Sequence, residues 1–184
     1  MIMKKLFLFL LPAVLLIACN SVEKHRAPIE QLSTNWDATT KAITDFQAQV
    51  SGDLTTYTQA LASVQPDDAT RAKMTPDKVI VWEASQKTVT DALGAYAPLQ
   101  KTVNDFVVTW TEKSAEVTAL RDGLAKGKLE GDVDEKIAEL NAMIATANEN
   151  LNAWKASYAT VKGSVDTNMA SLQQGTMTTN PSMQ

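Results

Sequence analysis

Apolar residues recur every seven positions along most of the chain, and this period is what most limits the folds open to it. One run is Ile29, Trp36, Ile43, Val50, Tyr57 and Val64, with Leu32, Thr39, Phe46 and Asp53 as companions. A second is Trp82, Val89, Tyr96, Val103, Trp110, Val117 and Leu124, beside Ser85, Ala92, Leu99, Phe106, Lys113 and Leu120. A third is Ile137, Ile144, Leu151, Tyr158, Val165 and Leu172, beside Val133, Leu140, Ala147, Trp154, Val161 and Asn168. A seven-residue period lays one apolar seam along an α-helix, and that seam must be buried against partners. Three seams in one chain predict that they bury one another, in an all-α, elongated, antiparallel three-helix bundle or coiled coil.

The helix ends carry their own marks. Pro28 suits a first turn. Thr75-Pro76-Asp77 reads as a cap, a first-turn proline and an acid that favours a helix start. Asp132 and Glu135 have capping-box spacing. Gly123 to Gly131 interrupts the pattern between the second and third runs. Helices are therefore expected near 28–64, 76–122 and 133–172, with lengths of roughly 55 to 70 Å at about 1.5 Å per residue. Pro98 lies inside the second run, yet the seam keeps its phase across it, so one kinked helix is expected there. Gly52, Gly94 and Gly163 fall near one level of an antiparallel fold. They mark either a shared thin level, where backbones approach or the bundle bends, or three unrelated surface positions. Residues 173–184 carry a glycine, a proline and no charge, and are expected to be a disordered tail.

The start of the chain has a different grammar. Lys4 and Lys5 precede an uncharged stretch, Leu6 to Ala18, too short to span a membrane as a helix of about 20 residues would. A charged start, a short apolar core and a small residue before a cut describe a secretory signal. Leu16-Ile17-Ala18-Cys19 at its end resembles the lipobox of bacterial lipoproteins. In that family the cysteine sulfur receives a diacylglycerol, the signal is removed, and the cysteine becomes the first mature residue. The resemblance covers residues 1–19 and implies a signal peptide over 1–18, a lipidated linker over 19–27, a bundle over 28–172 and the tail. It also accounts for Cys19 being the one cysteine of the chain, since a lone cysteine makes no internal disulfide. Two or more acyl chains give stable anchoring without a spanning helix. In lipoprotein sorting of the Gram-negative enteric type, Asp after the cysteine retains the protein in the inner membrane. Asn20-Ser21 stands here instead, which implies the outer membrane, and a single acid in residues 20–24 implies its periplasmic face.

Charge removes one class of partner. Without Lys4 and Lys5, 15 of the 17 basic residues remain against 21 acidic ones, a net charge of −6. General nucleic-acid binding needs the opposite sign. Catalytic chemistry is also thin. His25, the single histidine, sits in the expected linker, so a histidine-based triad or metal centre inside the bundle is not expected. No glycine-rich phosphate loop is present. Asp132, Asp134, Glu135 and Glu139 read as acids that favour a helix start. No catalytic residue, metal site or cofactor is assigned beyond a covalent lipid on Cys19, and a non-enzyme is expected. The chain ends Pro181-Ser182-Met183-Gln184, without the terminal lysine through which murein lipoprotein joins the cell wall, so that covalent role is not expected.

An anchor at Cys19 orients the rest. Residues 20–27 reach at most about 26–29 Å, so the first helix should leave from near the membrane. The basic residues expected there are Lys24, Arg26, Lys126 and Lys128, either meeting anionic head groups or forming ordinary solvated loop charge. The loop at 65–75 falls at the far end, where Arg71, Lys73 and Met74 are candidates for contact with an envelope protein. Three functions remain open: a structural or protein-interaction module, a binding module for a lipid or other apolar ligand, and an inhibitor or exclusion factor against a foreign protein. The second would use the polar breaks in the seams, Thr39, Asp53, Ser85, Lys113 and Asn168, as signs of a loosened core. Oligomeric state is left open by the residual apolar stripes outside the seams, Val79-Ile80-Val81 and Val107-Val108.

Overall fold

The computed structural model describes residues 11–179, with side chains from 22 to 174. The Cys19 side chain, residues 1–10 of the expected signal and residues 180–184 of the expected tail lie outside that set. Five helices follow one another: α1 (Leu11–Ser63), α2 (Asp68–Arg71), α3 (Pro76–Gly94), α4 (Tyr96–Ala125) and α5 (Val133–Thr179). No strand occurs among the described residues, and the protein is an all-α helical bundle. The seven-residue seams explain it. Every seam and companion position named above is buried or half-buried, and none is exposed.

The chain forms two compact units, each with segments of α1, α4 and α5. The first takes α1 up to Ala42 together with Val107–Glu149. Its core holds Ile29, Leu32, Trp36, Trp110, Val117, Leu120, Val133, Leu140, Ile144 and Ala147, all at most 8% exposed. Trp36 and Trp110 stack with ring centroids 3.7 Å apart and planes 11° from parallel. The Trp36 indole N–H donates to Ser114 Oγ (3.2 Å), whose hydroxyl donates to the Trp110 carbonyl (3.0 Å). The Trp110 indole N–H donates to Thr40 Oγ1 (2.9 Å), whose hydroxyl donates to the Trp36 carbonyl (2.8 Å). The two helices thus satisfy each other's buried donors reciprocally. Arg121 adds a tie from α4 to α1, bonding the Ser33 carbonyl at 2.9 Å and Asp37 at 2.8 Å.

The second unit takes Ile43–Phe106 with α5 from Asn150. Ile43, Phe46, Val50, Val89, Tyr96, Leu99, Val103, Leu151, Trp154, Tyr158, Val165 and Leu172 are buried there. Aromatic contacts knit it. Phe106 meets Trp154 edge-on at 5.4 Å, and Phe46 meets Tyr158 edge-on at 5.9 Å. Burying side chains of this size contributes about 1.5–3 kcal/mol each.

Several boundaries differ from the expected ones. Pro28 does not open α1, which runs through it. Residues 22–27 are therefore helical rather than a linker, and Val22 and His25 are buried. The physical reason is that the seams continue upstream: Val22 stands seven before Ile29, and His25 seven before Leu32. The expected single kinked helix is divided at Ala95, which stays in the right-handed helical region at φ −68°, ψ −14°. Pro98 has no N–H to give the Gly94 carbonyl, and its ring crowds that carbonyl, so the ladder breaks there. The last helix continues to Thr179 rather than ending near 172. Gln173 and Gln174 favour helix, which carries α5 past Leu172.

The connections are built as local chemistry requires. Asp67 caps α2, accepting from the Thr70 N–H at 2.7 Å. Thr75 is the cap residue of α3 but makes no side-chain cap bond there, and Pro76 follows in the first turn. α4 ends in a Schellman motif: Lys128 N–H bonds the Gly123 carbonyl at 2.8 Å and Gly127 N–H bonds Leu124 at 3.2 Å. Gly127 supplies the left-handed turn at φ 66°. The Asp132 carboxylate then caps α5 by accepting from Glu135 N–H at 3.0 Å.

The three helical glycines do not mark a close approach of backbones. A Cβ at Gly52, Gly94 or Gly163 meets nothing within 4 Å, so each faces open space.

Candidate functional site

The basic residues expected near a membrane all fall in the first unit. The first turns of α5 lie against the start of this part of α1, where Asp134 takes Lys24 Nζ at 3.9 Å and His25 Nδ1 at 3.3 Å. Arg26 bonds Glu23 at 3.0 Å and lies 3.9 Å from Glu30. Lys126 sits 3.6 Å from Asp122, and Lys128 bonds Glu130 at 2.9 Å. That last bond holds the Lys128 ammonium above its ordinary range and the Glu130 carboxyl below its own. Each of the four cations thus stands beside a carboxylate rather than in a uniformly basic cluster. Exposed pairs of this kind contribute little to stability, because solvent and salt screen them. Beside them a groove of about 530 Å³ is lined by Leu120, Leu129, Lys128 and Lys136 among others.

The residues expected at the distal loop fall in the second unit. Arg71 is not a free cation: it pairs with Glu83 and lies 5.8 Å from the centre of the Trp82 ring. Lys73 is exposed and Met74 is half-buried. In the same unit, on α3, Ile80 and Val81 are 64% and 65% exposed.

One cluster in the second unit was read from sequence only as seam. Tyr57, Tyr96 and Tyr158 occupy apolar seam positions, but the hydroxyls of Tyr57 and Tyr158 carry a polar network. Tyr158 donates to Asp53 and accepts from Gln49 at 3.1 Å. Tyr57 donates to Asp166 and accepts from Lys162 at 2.8 Å, and Lys162 also bonds Asp166 at 2.8 Å. The Lys162 and Tyr57 bonds hold the Asp166 carboxyl below its ordinary value, while Asp166 and then Tyr57 push Lys162 up. Burial first, then Asp166, raises Tyr57; burial first, then Asp53, raises Tyr158. Asp53 inside a seam and the Lys162–Asp166 spacing were the signals in the sequence. The contacts across helices were not.

Three of the other polar breaks, Ser85, Lys113 and Asn168, are bonded too, the last donating to Ser164 Oγ at 3.5 Å. The Ser85 hydroxyl donates to the Val81 carbonyl at 2.9 Å and Lys113 bonds Glu116 at 2.6 Å. Among the described residues, no group of three or more His, Cys, Asp or Glu could hold a metal ion, and no helix is long and apolar enough to cross a membrane. Comparison with family models, with curated proteins and with solved structures finds no match.

Proposed function

We propose that this chain is a lipid-anchored helical lipoprotein that acts as a structural or protein-interaction module of a bacterial envelope, facing the periplasm from the outer membrane, and not an enzyme. The observation that carries the reading is Leu16-Ile17-Ala18-Cys19 at the end of a charged-then-apolar leader. Two features of the folded chain support it. Four of the five polar breaks that would signal a loosened, ligand-holding core, Asp53, Ser85, Lys113 and Asn168, are engaged by neighbouring groups, which favours this reading over an apolar-ligand carrier. Ile80 and Val81 offer apolar surface on α3, close in sequence to Arg71, Lys73 and Met74, as protein contacts use. A photo-crosslinking residue placed at Lys73 or Ile80 in cells should give a discrete adduct with an envelope protein. The adduct should fall sharply in a Cys19→Ser form. No discrete adduct at either position, or an equal adduct without the anchor, would sink the reading.

A further inference from the structure

Tyr96 begins α4, immediately after the break at Ala95, and its side chain is 0% exposed. Its hydroxyl is buried and has no hydrogen-bond partner in the protein. A hydroxyl enclosed in this way normally finds one, because leaving it unpaired costs the full desolvation of the group. The surroundings are polar. The Tyr96 ring meets Tyr158 edge-on at 6.4 Å and Tyr57 at 6.4 Å. Its hydroxyl lies in the electrostatic field of Asp53, Tyr57, Tyr158 and Lys162. The Tyr57 and Tyr158 hydroxyls already donate to one partner and accept from another. Asp53 differs: Tyr158 engages Oδ2, which leaves Oδ1 as an acceptor.

We propose that the Tyr96 hydroxyl and the Asp53 carboxylate share one ordered buried water, making this level a built water-binding site in the second unit. The water accepts the Tyr96 O–H and donates to Asp53 Oδ1. Buried waters characteristically sit where polar groups would otherwise stay unpaired, and make two to four hydrogen bonds. With it, every hydroxyl of the three tyrosines is satisfied. The layer then joins α1 through Asp53 and Tyr57, α4 through Tyr96, and α5 through Tyr158, Lys162 and Asp166. A polar layer in an otherwise apolar seam specifies register, because sliding any one helix by a turn strands the others' polar atoms.

The test is a double-mutant cycle of Tyr96→Phe and Asp53→Ala, read by urea denaturation. With a shared water, Tyr96→Phe lowers the folding equilibrium constant roughly tenfold, and the two changes are not additive. If the hydroxyl is unpaired, Tyr96→Phe leaves the constant unchanged or raises it, and the cycle closes additively; either result overturns the proposal. A high-resolution crystal structure gives a reading that does not depend on the variants. Density bridging Tyr96 and Asp53 supports the site, and a direct bond from Tyr96 to another side chain overturns it.

Discussion

Gly123 and Gly52 are both helical glycines, and a methyl group has opposite consequences at the two. A Cβ on Gly123 falls 2.7 Å from the Lys128 carbonyl oxygen, a backbone atom fixed by the turn that ends α4. Gly123→Ala should therefore destabilise by about 1–3 kcal/mol, since that turn must shift. A Cβ on Gly52 meets open space, and Gly52→Ala should stabilise by about 0.5–1 kcal/mol by restricting the unfolded chain. Urea midpoints of the two variants measure both. Ser114→Ala removes the acceptor of the Trp36 indole N–H, which is expected to cost about 1–3 kcal/mol in the same assay. Asp166 sets a pH dependence. Its folded value is depressed, chiefly by Lys162, so its contribution is fully present above the ordinary aspartate value of about 3.9 and is lost as pH falls through the folded one. Asp166→Asn should flatten stability between about pH 5 and the acid transition, and an unchanged slope would contradict this assignment.

At the scale of elements, two prolines had different outcomes. Pro28 stands inside α1 without ending it, because Val22 and His25 extend the seams beyond it. Val22→Ala should then cost about 1–3 kcal/mol; a change near zero would mean that this end of α1 is not docked. Pro98 lies in the first turn of α4, just past the break at Ala95, and Pro98→Ala restores a donor for the Gly94 carbonyl. Slower amide exchange around residues 95–99 is the expected outcome. The seams themselves were legible, from Ile29 to Leu172, because a seven-residue period has few other meanings. The upstream pair Val22 and His25 obeyed the same period, but Pro28 masked it as a helix start. α2 was illegible: four residues held by the Asp67 cap leave no periodic signal. The tyrosine layer was legible only as bulk, since a tyrosine on a seam looks like any large apolar residue until the partners of its hydroxyl are known.

For the whole molecule, the bundle and the address rest on different parts of the chain. The bundle follows from the seams and stands whatever happens at Cys19. The proposed anchoring rests on Leu16-Ile17-Ala18-Cys19, and it acquires geometry through α1, which is helical from Leu11 onward. A helix rises about 1.5 Å per residue, so the stretch between Cys19 and Pro28 spans roughly 13 Å instead of the 26–29 Å open to an extended linker. An anchored chain would hold Lys24, Arg26, Lys126 and Lys128, with their acidic partners, correspondingly close to the lipid. The most direct test of the central claim is the intact mass of the protein extracted from its native membrane, beside a Cys19→Ser form. The account predicts residues 19–184 plus acyl chains for the wild type, and no such species for the variant. A wild-type mass equal to an unacylated chain, cut or uncut, would contradict it.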